Sequence, residues 1–168
     1  MSNDTISYFS GIYGQLAPAA PALQAFSSKA IGEFGKWGLP GPKHEEWKYA
    51  RVASLFRKEL SFSLDTPPVA AADIDLFRLP GNDSATELVF VNGIFSPSLS
   101  VIRHTSTELM ALPMDEAARG EYADFIARNL GHSAAYHPDG IHALNGAFAG
   151  KGLFLHIRKG KTLEQPVY

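Results

Sequence analysis

Three histidines, His132, His137 and His142, recur at five-residue steps, with Asp139 between the last two. Imidazole and carboxylate groups are the ligands of a zinc or iron site, so the cluster has the right atoms for metal chemistry. Its spacing is wrong. Five residues advance a helix by about 140°, so the three side chains would not share a face, and the HExxH pattern of metalloproteases is absent. Gly131, Pro138 and Gly140 make the stretch a loop, and ordinary loop histidines are expected. A small histidine-dependent metal-binding enzyme stands as the alternative. His44, His104 and His156 sit in no motif that would mark them as bases.

The run Asn145 to Gly152 invites comparison with a phosphate-binding loop, with Lys151 as the phosphate lysine. Asn145 replaces the first glycine, Gly152 replaces the magnesium-binding hydroxyl, and a strand follows where a helix should start. A tight turn is expected instead, with Gly150 and Gly152 in unusual dihedrals. No GxSxG or GxGxxG occurs, and the adjacent Glu45 and Glu46 cannot face each other in a helix or a strand. No catalytic, cofactor-binding or metal-binding residue is assigned, and no enzyme is expected.

Composition narrows the field further. The 168 residues hold no cysteine, which removes disulfide scaffolds, thiolate zinc sites, cysteine nucleophiles and a self-sufficient thiolate-ligated iron–sulfur protein. Fifteen Lys and Arg against 17 Asp and Glu give a net charge of −2, without the basic excess that a nucleic-acid partner needs. No run approaches the ~18 apolar residues of a membrane span, and the N-terminus does not read as a secretory signal. A cytoplasmic protein with neither nucleic-acid nor membrane partners is expected. At 45% hydrophobic residues the chain is rich enough for a core of its own.

These residues are positioned by three stretches: a helical region over 1–64, a linker over 65–86, and a mixed segment over 87–168. Ile6, Phe9, Tyr13 and Leu16, then Leu23, Phe26, Ile31, Phe34 and Trp37, recur at helical spacing and predict two amphipathic helices. Asn3 or Asp4 can cap the first; Pro18 and Pro21 separate the two; Gly38 followed by Pro40 stops the second. Val52 to Leu60 suits a short helix, and Asp65 to Ala72, with Pro67 and Pro68, a linker. Leu88 to Phe95 around Asn92 and Gly93 predicts a hairpin with a type I′ turn, whose return strand is interrupted at Pro97 or lies at an edge. Met114 to Leu130 predicts one helix weakened by Gly120 and stopped by Gly131, and Ile141 to Phe148 a shorter one. Gly152 to Arg158 predicts a strand with Leu153, Leu155 and Ile157 on one face, and Gln165 to Tyr168 starts another. The expected core is Phe26, Phe34, Trp47, Leu88, Phe90, Phe125, Ile126, Leu144, Phe148, Leu153 and Leu155.

The segment Lys43 to Tyr49 packs a Trp and a Tyr among five polar residues. If extended, Trp47 and Tyr49 share a face opposite Glu46 and Lys48; if helical, Glu45 and Tyr49 are neighbours. Either form offers an aromatic anchor with a charged rim, suited to an interface but expected to pack internally.

Gly38, Leu39 and Pro40 followed by Lys43, His44, Glu45, Glu46, Trp47, Lys48 and Tyr49 resemble the N-terminal signature of the SufD branch of the SufB/SufD family. Leu88 to Gly93 with Pro97 to Ser100 resembles that family's hairpin, and Ala143 to Phe148 with Gly152 resembles its approach to a parallel β-helix. The resemblance implies an α+β fold: an N-terminal helical arm, a β-hairpin and helices leading into the first strands of a β-helix that is largely absent. It also implies a noncatalytic scaffold component of the SUF machinery, acting with SufB and the SufC ATPase on a nascent iron–sulfur cluster, with no cofactor in this chain and ATP used by SufC. Gly38, Pro40, Lys43, Glu46, Trp47, Lys48, Tyr49, Asn92 and Gly93 are the matching positions, structural or interfacial. On this reading the chain is an N-terminal fragment, and its last strand, lacking a neighbour, frays or pairs with a second copy.

Overall fold

The structure is a computed structural model describing residues 2–16, 19–50, 52–56, 67–81, 83–132 and 138–168. It is α+β, with helices and two small antiparallel sheets. The described residues within Met1–Phe62 and Ala118–Gly150 form one compact unit, and those within Ser63–Ala117 and Lys151–Tyr168 the other. Each unit is therefore built from two separate stretches of chain, where the sequence divides most simply into three consecutive ones.

In the first unit, α1 (Ser2–Gly14) and α2 (Pro21–Trp37) lie where helical spacing puts them. Helix α1 begins at Ser2, so Asp4 lies in its first turn and does not cap it. Pro21 opens α2 at a position where its missing N–H costs nothing. Gly38 ends the helix with φ +61°, its N–H bonded to Phe34 O at 2.8 Å, a backbone state that glycine adopts without strain. The short α3 (Val52–Leu55) covers the described start of the helix expected over 52–60; residues 57–60 lie outside the described residues.

The core of this unit collects Phe9, Ile12, Phe34 and Ala143, with Ile6, Ile31, Leu39, Phe56, Leu144 and Phe148 against it. Phe9 meets Phe34, Phe56 and Phe148 edge to face at 6.0, 5.7 and 6.5 Å. That arrangement matches positive ring edges to negative faces. It also explains why the α1 stripe faces α2.

The helix expected over 114–130 is two: α5 (Met114–Arg119) and α6 (Ala123–Asn129). Gly120 falls in the break, where its conformational freedom makes leaving the helix cheap. Ile126 of α6 and Tyr122 just before it are buried, but Phe125, expected in the core, is half-exposed. Gly131 follows with φ +78° and stops the helix. Helix α7 (Gly140–Ala147) then packs along α2, and a 3-10 turn (Ala149–Lys151) leads out of it. Gly150 and Gly152 both keep negative φ, so the turn does not use the unusual dihedrals expected of them.

In the second unit, β1 (Phe90–Val91) and β2 (Ile94–Phe95) form the hairpin with Asn92 at φ 50° and Gly93 at φ 79°, the two positive values a type I′ turn requires. Val91 and Phe95 are buried, while Phe90, expected in the core, is half-exposed. Strand β3 (Leu109–Pro113) pairs antiparallel with β4 (Leu153–Ile157), Ala111 opposite Leu155. Leu153, Leu155 and Ile157 do share a face, but Phe154 on the opposite face is the buried one, and Leu155 and Ile157 stand half-exposed. Alternation showed which residues go together, not which side faces inward.

Part of the stretch read as a linker is structured: α4 (Ala71–Asp75) forms there, and Ala85 and Thr86 are buried. The chain end is not unpaired either. Thr86 bridges Val167 in parallel, with Thr86 N–H donating to Pro166 O (3.0 Å), Tyr168 N–H to Thr86 O (3.0 Å) and Leu88 N–H to Tyr168 O (2.7 Å). Glu87 pairs with Val101 on the other side. A neighbour 81 residues upstream of Val167 was invisible to local pattern, and it removes the premise that this strand must fray or find a second copy.

Candidate functional site

Gly38 to Tyr49 forms a strap beside the N-terminus of α7. Gly38 and Pro40 are buried. A Cβ on Gly140, the first residue of α7, would stand 1.6 Å from Gly38 O, so the two backbones touch as only a glycine permits. The strap then makes a 3-10 turn at Glu45–Trp47, with Trp47 N–H donating to His44 O (3.0 Å) and Ala50 N–H to Trp47 O (3.0 Å). This is neither of the two regular forms, and it separates the aromatics: Trp47 turns inward while Tyr49 is 91% exposed.

Trp47 reaches Asp139. Its indole N–H donates to Asp139 Oδ2 at 2.9 Å, while Asp139 Oδ1 accepts from the amides of Ile141 (2.7 Å) and His142 (2.9 Å), capping α7. His142 Nδ1 lies 3.0 Å from Oδ2. Asp139 is buried, and burial by itself raises a carboxyl pKa; the bonds from the His142 amide, the Trp47 indole and the His142 ring outweigh it and hold the group below its usual range. The carboxylate is thus a knot joining the strap, the helix N-terminus and an imidazole.

The remaining signature positions stand apart from this knot. Lys43, Glu46, Lys48 and Tyr49 are on the surface. Lys48 Nζ lies 3.2 Å from Glu45 Oε1 and 5.2 Å from the centre of the Tyr49 ring, contacts worth little in water. Asn92 and Gly93 serve the hairpin turn of the other unit. Internal packing therefore describes Trp47 and fails for Tyr49, whose exposure suits an interface.

Of the histidine cluster, His132 and His142 are exposed at the surface and His137 lies outside the described residues. Among the described residues no three His, Asp or Glu side chains are placed to hold a metal. In the second unit His104 Nδ1 pairs with Thr86 Oγ1 at 2.9 Å, and its Nε2 is buried without a partner.

Sequence reasoning weighed Asp139 only as part of a metal cluster that it rejected, and missed its capping role. The signal was present: an aspartate directly before a glycine and an apolar run is a helix N-cap pattern. It also missed an ion pair of the second unit, where Arg78 Nε donates to both oxygens of buried Glu87 at 2.6 and 2.9 Å. Arg78 also pairs with Asp75. No local pattern announces that pair.

No described helix is long and apolar enough to cross a membrane. No curated protein matches the chain. Residues 9–168 match a family model described as the SufBD protein N-terminal region.

Proposed function

Since the chain belongs to the SufB/SufD family of iron–sulfur cluster assembly proteins, we propose that it is the front part of a SufD-like subunit, a noncatalytic cytoplasmic scaffold component that works with SufB and SufC. The cluster is cargo on this reading, and the ATP is hydrolysed by SufC.

The observation that carries the SufD assignment is the strap. Its signature residues divide into the buried Gly38 and Pro40 with the half-buried Trp47, and an exposed set ending in Tyr49. An inward-facing set that locks a turn in place and an exposed aromatic at its tip is how a rigid contact surface is built. A chain without cysteine has no thiolate to hold a cluster itself, which favours support over ligation.

The test is co-expression of the tagged full gene product with SufB and SufC from the same genome. Recovery of all three proteins in one complex, with loss of the complex when the SufB-like position is left to this protein alone, supports the reading. Absence of any association, or a complex with SufC in which this protein replaces SufB, overturns it.

A further inference from the structure

A cleft of about 360 Å³ opens in the first unit between α2, the end of α6 and the start of α7. It uses one face of α2, residues 26, 29, 30, 33 and 37, which fall at helical spacing. Phe26 and the half-exposed Trp37, about 16 Å apart along α2, put an aromatic ring at each end of that face. Its floor is kept open by small residues: Gly146 lies against Ala30 and Phe26 so closely that a Cβ there would stand 3.1 Å from the Ala30 methyl. Concave, mainly apolar space with a few polar groups at its edge is the usual form of a small-ligand site.

The polar groups differ in what they leave for a ligand. Glu33 is engaged by Lys36 at 3.2 Å. Lys29, also at the edge, has no ion-pair partner among the described residues, so its ammonium is available to an anion. His142 is held through Nδ1 by Asp139, 3.0 Å away. A carboxylate only accepts, so Nδ1 carries the proton in the neutral ring, and Nε2 is left as an acceptor. Both oxygens of Asp139 already accept hydrogen bonds, from the Trp47 indole and two amides, and Asp139 does not line the cleft.

We propose that this cleft binds an aromatic carboxylate whose ring carries an N–H or O–H donor, of indole or hydroxyphenyl type. The ring rests against Trp37, the carboxylate meets Lys29, and the ring donor meets His142 Nε2. Such a group can be a free acid or the C-terminal residue of a polypeptide, and the two share the same recognition chemistry.

The intact protein is titrated with indole-3-propionate and followed by the Trp37 indole and Gly146 amide resonances. Saturable shifts at both, with a Kd of about 1 mM or tighter, are expected for a ligand of this size. Indole-3-propionamide, lacking the charge, and 3-(1-naphthyl)propionate, lacking the donor, should each bind about fivefold more weakly, the scale of one exposed polar contact. Lys29→Met on the exposed face of α2 should abolish the preference for acid over amide while leaving the circular dichroism unchanged. Ala30→Leu, which fills the floor, should remove binding altogether. N-acetyl-Gly-Trp binding more tightly than the free acid identifies a chain terminus as the ligand; the reverse identifies a small molecule. No saturable shift for either, or affinities indifferent to charge, donor and Lys29→Met, overturns the proposal. None of these outcomes bears on membership of a SUF complex, which is tested separately.

Discussion

Replacing Trp47 by Phe and Asp139 by Ala, singly and together, tests the knot at the start of α7. Trp47→Phe keeps most of the ring and removes the 2.9 Å indole bond to a buried carboxylate. A bond to a charged group contributes about 1.5–3 kcal/mol, so a loss of about 2 kcal/mol is expected. Asp139→Ala removes the same bond and also the cap formed with the Ile141 and His142 amides at 2.7 and 2.9 Å, worth about 1 kcal/mol more. That gives about 3 kcal/mol for the second single variant. The indole bond can be lost only once, so the double variant should also lose about 3 kcal/mol, not the additive 5, and the coupling is about 2 kcal/mol. Urea unfolding followed by circular dichroism at 222 nm measures all four proteins, with a shared slope checking two-state behaviour. Additivity within about 0.5 kcal/mol would show that Trp47 and Asp139 do not share a bond that matters, and the account of the strap would be wrong.

Gly140→Ala should lower stability by more than about 2 kcal/mol, because its methyl would meet Gly38 O at 1.6 Å, whereas Gly41→Ala, with nothing within 4 Å, should change it by less than about 0.5 kcal/mol; thermal unfolding of the pair decides. Glu87 is held below the usual carboxylate range chiefly by its hydrogen bond from Arg78, against the opposing effect of burial. A carboxyl with a depressed folded pKa contributes stability that is present above its unfolded pKa and lost as pH falls through the folded one, so acid should destabilise the protein in part through this pair. In Arg78→Met the fall in stability below pH 5 should be shallower, and an unchanged acid limb in urea titrations would refute the assignment. The amides of Thr86, Leu88 and Tyr168 should exchange with deuterium far more slowly than those of Gly41 and Lys43, since all three donate to backbone carbonyls; exchange at the same rate would mean that the terminal strand is not paired.

Local signals were legible where their physics is local. The apolar spacing of α1 and α2, the stop at Gly38 and the Asn92–Gly93 turn each depend on residues within a few positions of one another, and the described structure contains them. The 3-10 turn at Glu45–Trp47 was harder, because its short polar stretch carries neither a period of two nor one of 3.6. Phe90, Phe125 and Leu155 were misplaced for a different reason. Periodicity marks an apolar face, but only the neighbouring element determines whether that face is covered.

Read by itself, the chain determined its class, its helical arm, its hairpin and the residues that resemble the SufB/SufD signature. Tertiary structure alone decided what those residues do. Trp47 finds Asp139 across 92 positions, Thr86 finds Val167, and Arg78 finds Glu87, pairings that no local pattern in the sequence announces. The reason is that helix caps and turns satisfy backbone groups from within reach of the local chain, whereas a buried carboxylate or an open strand edge must be satisfied by whatever the folded chain brings alongside it.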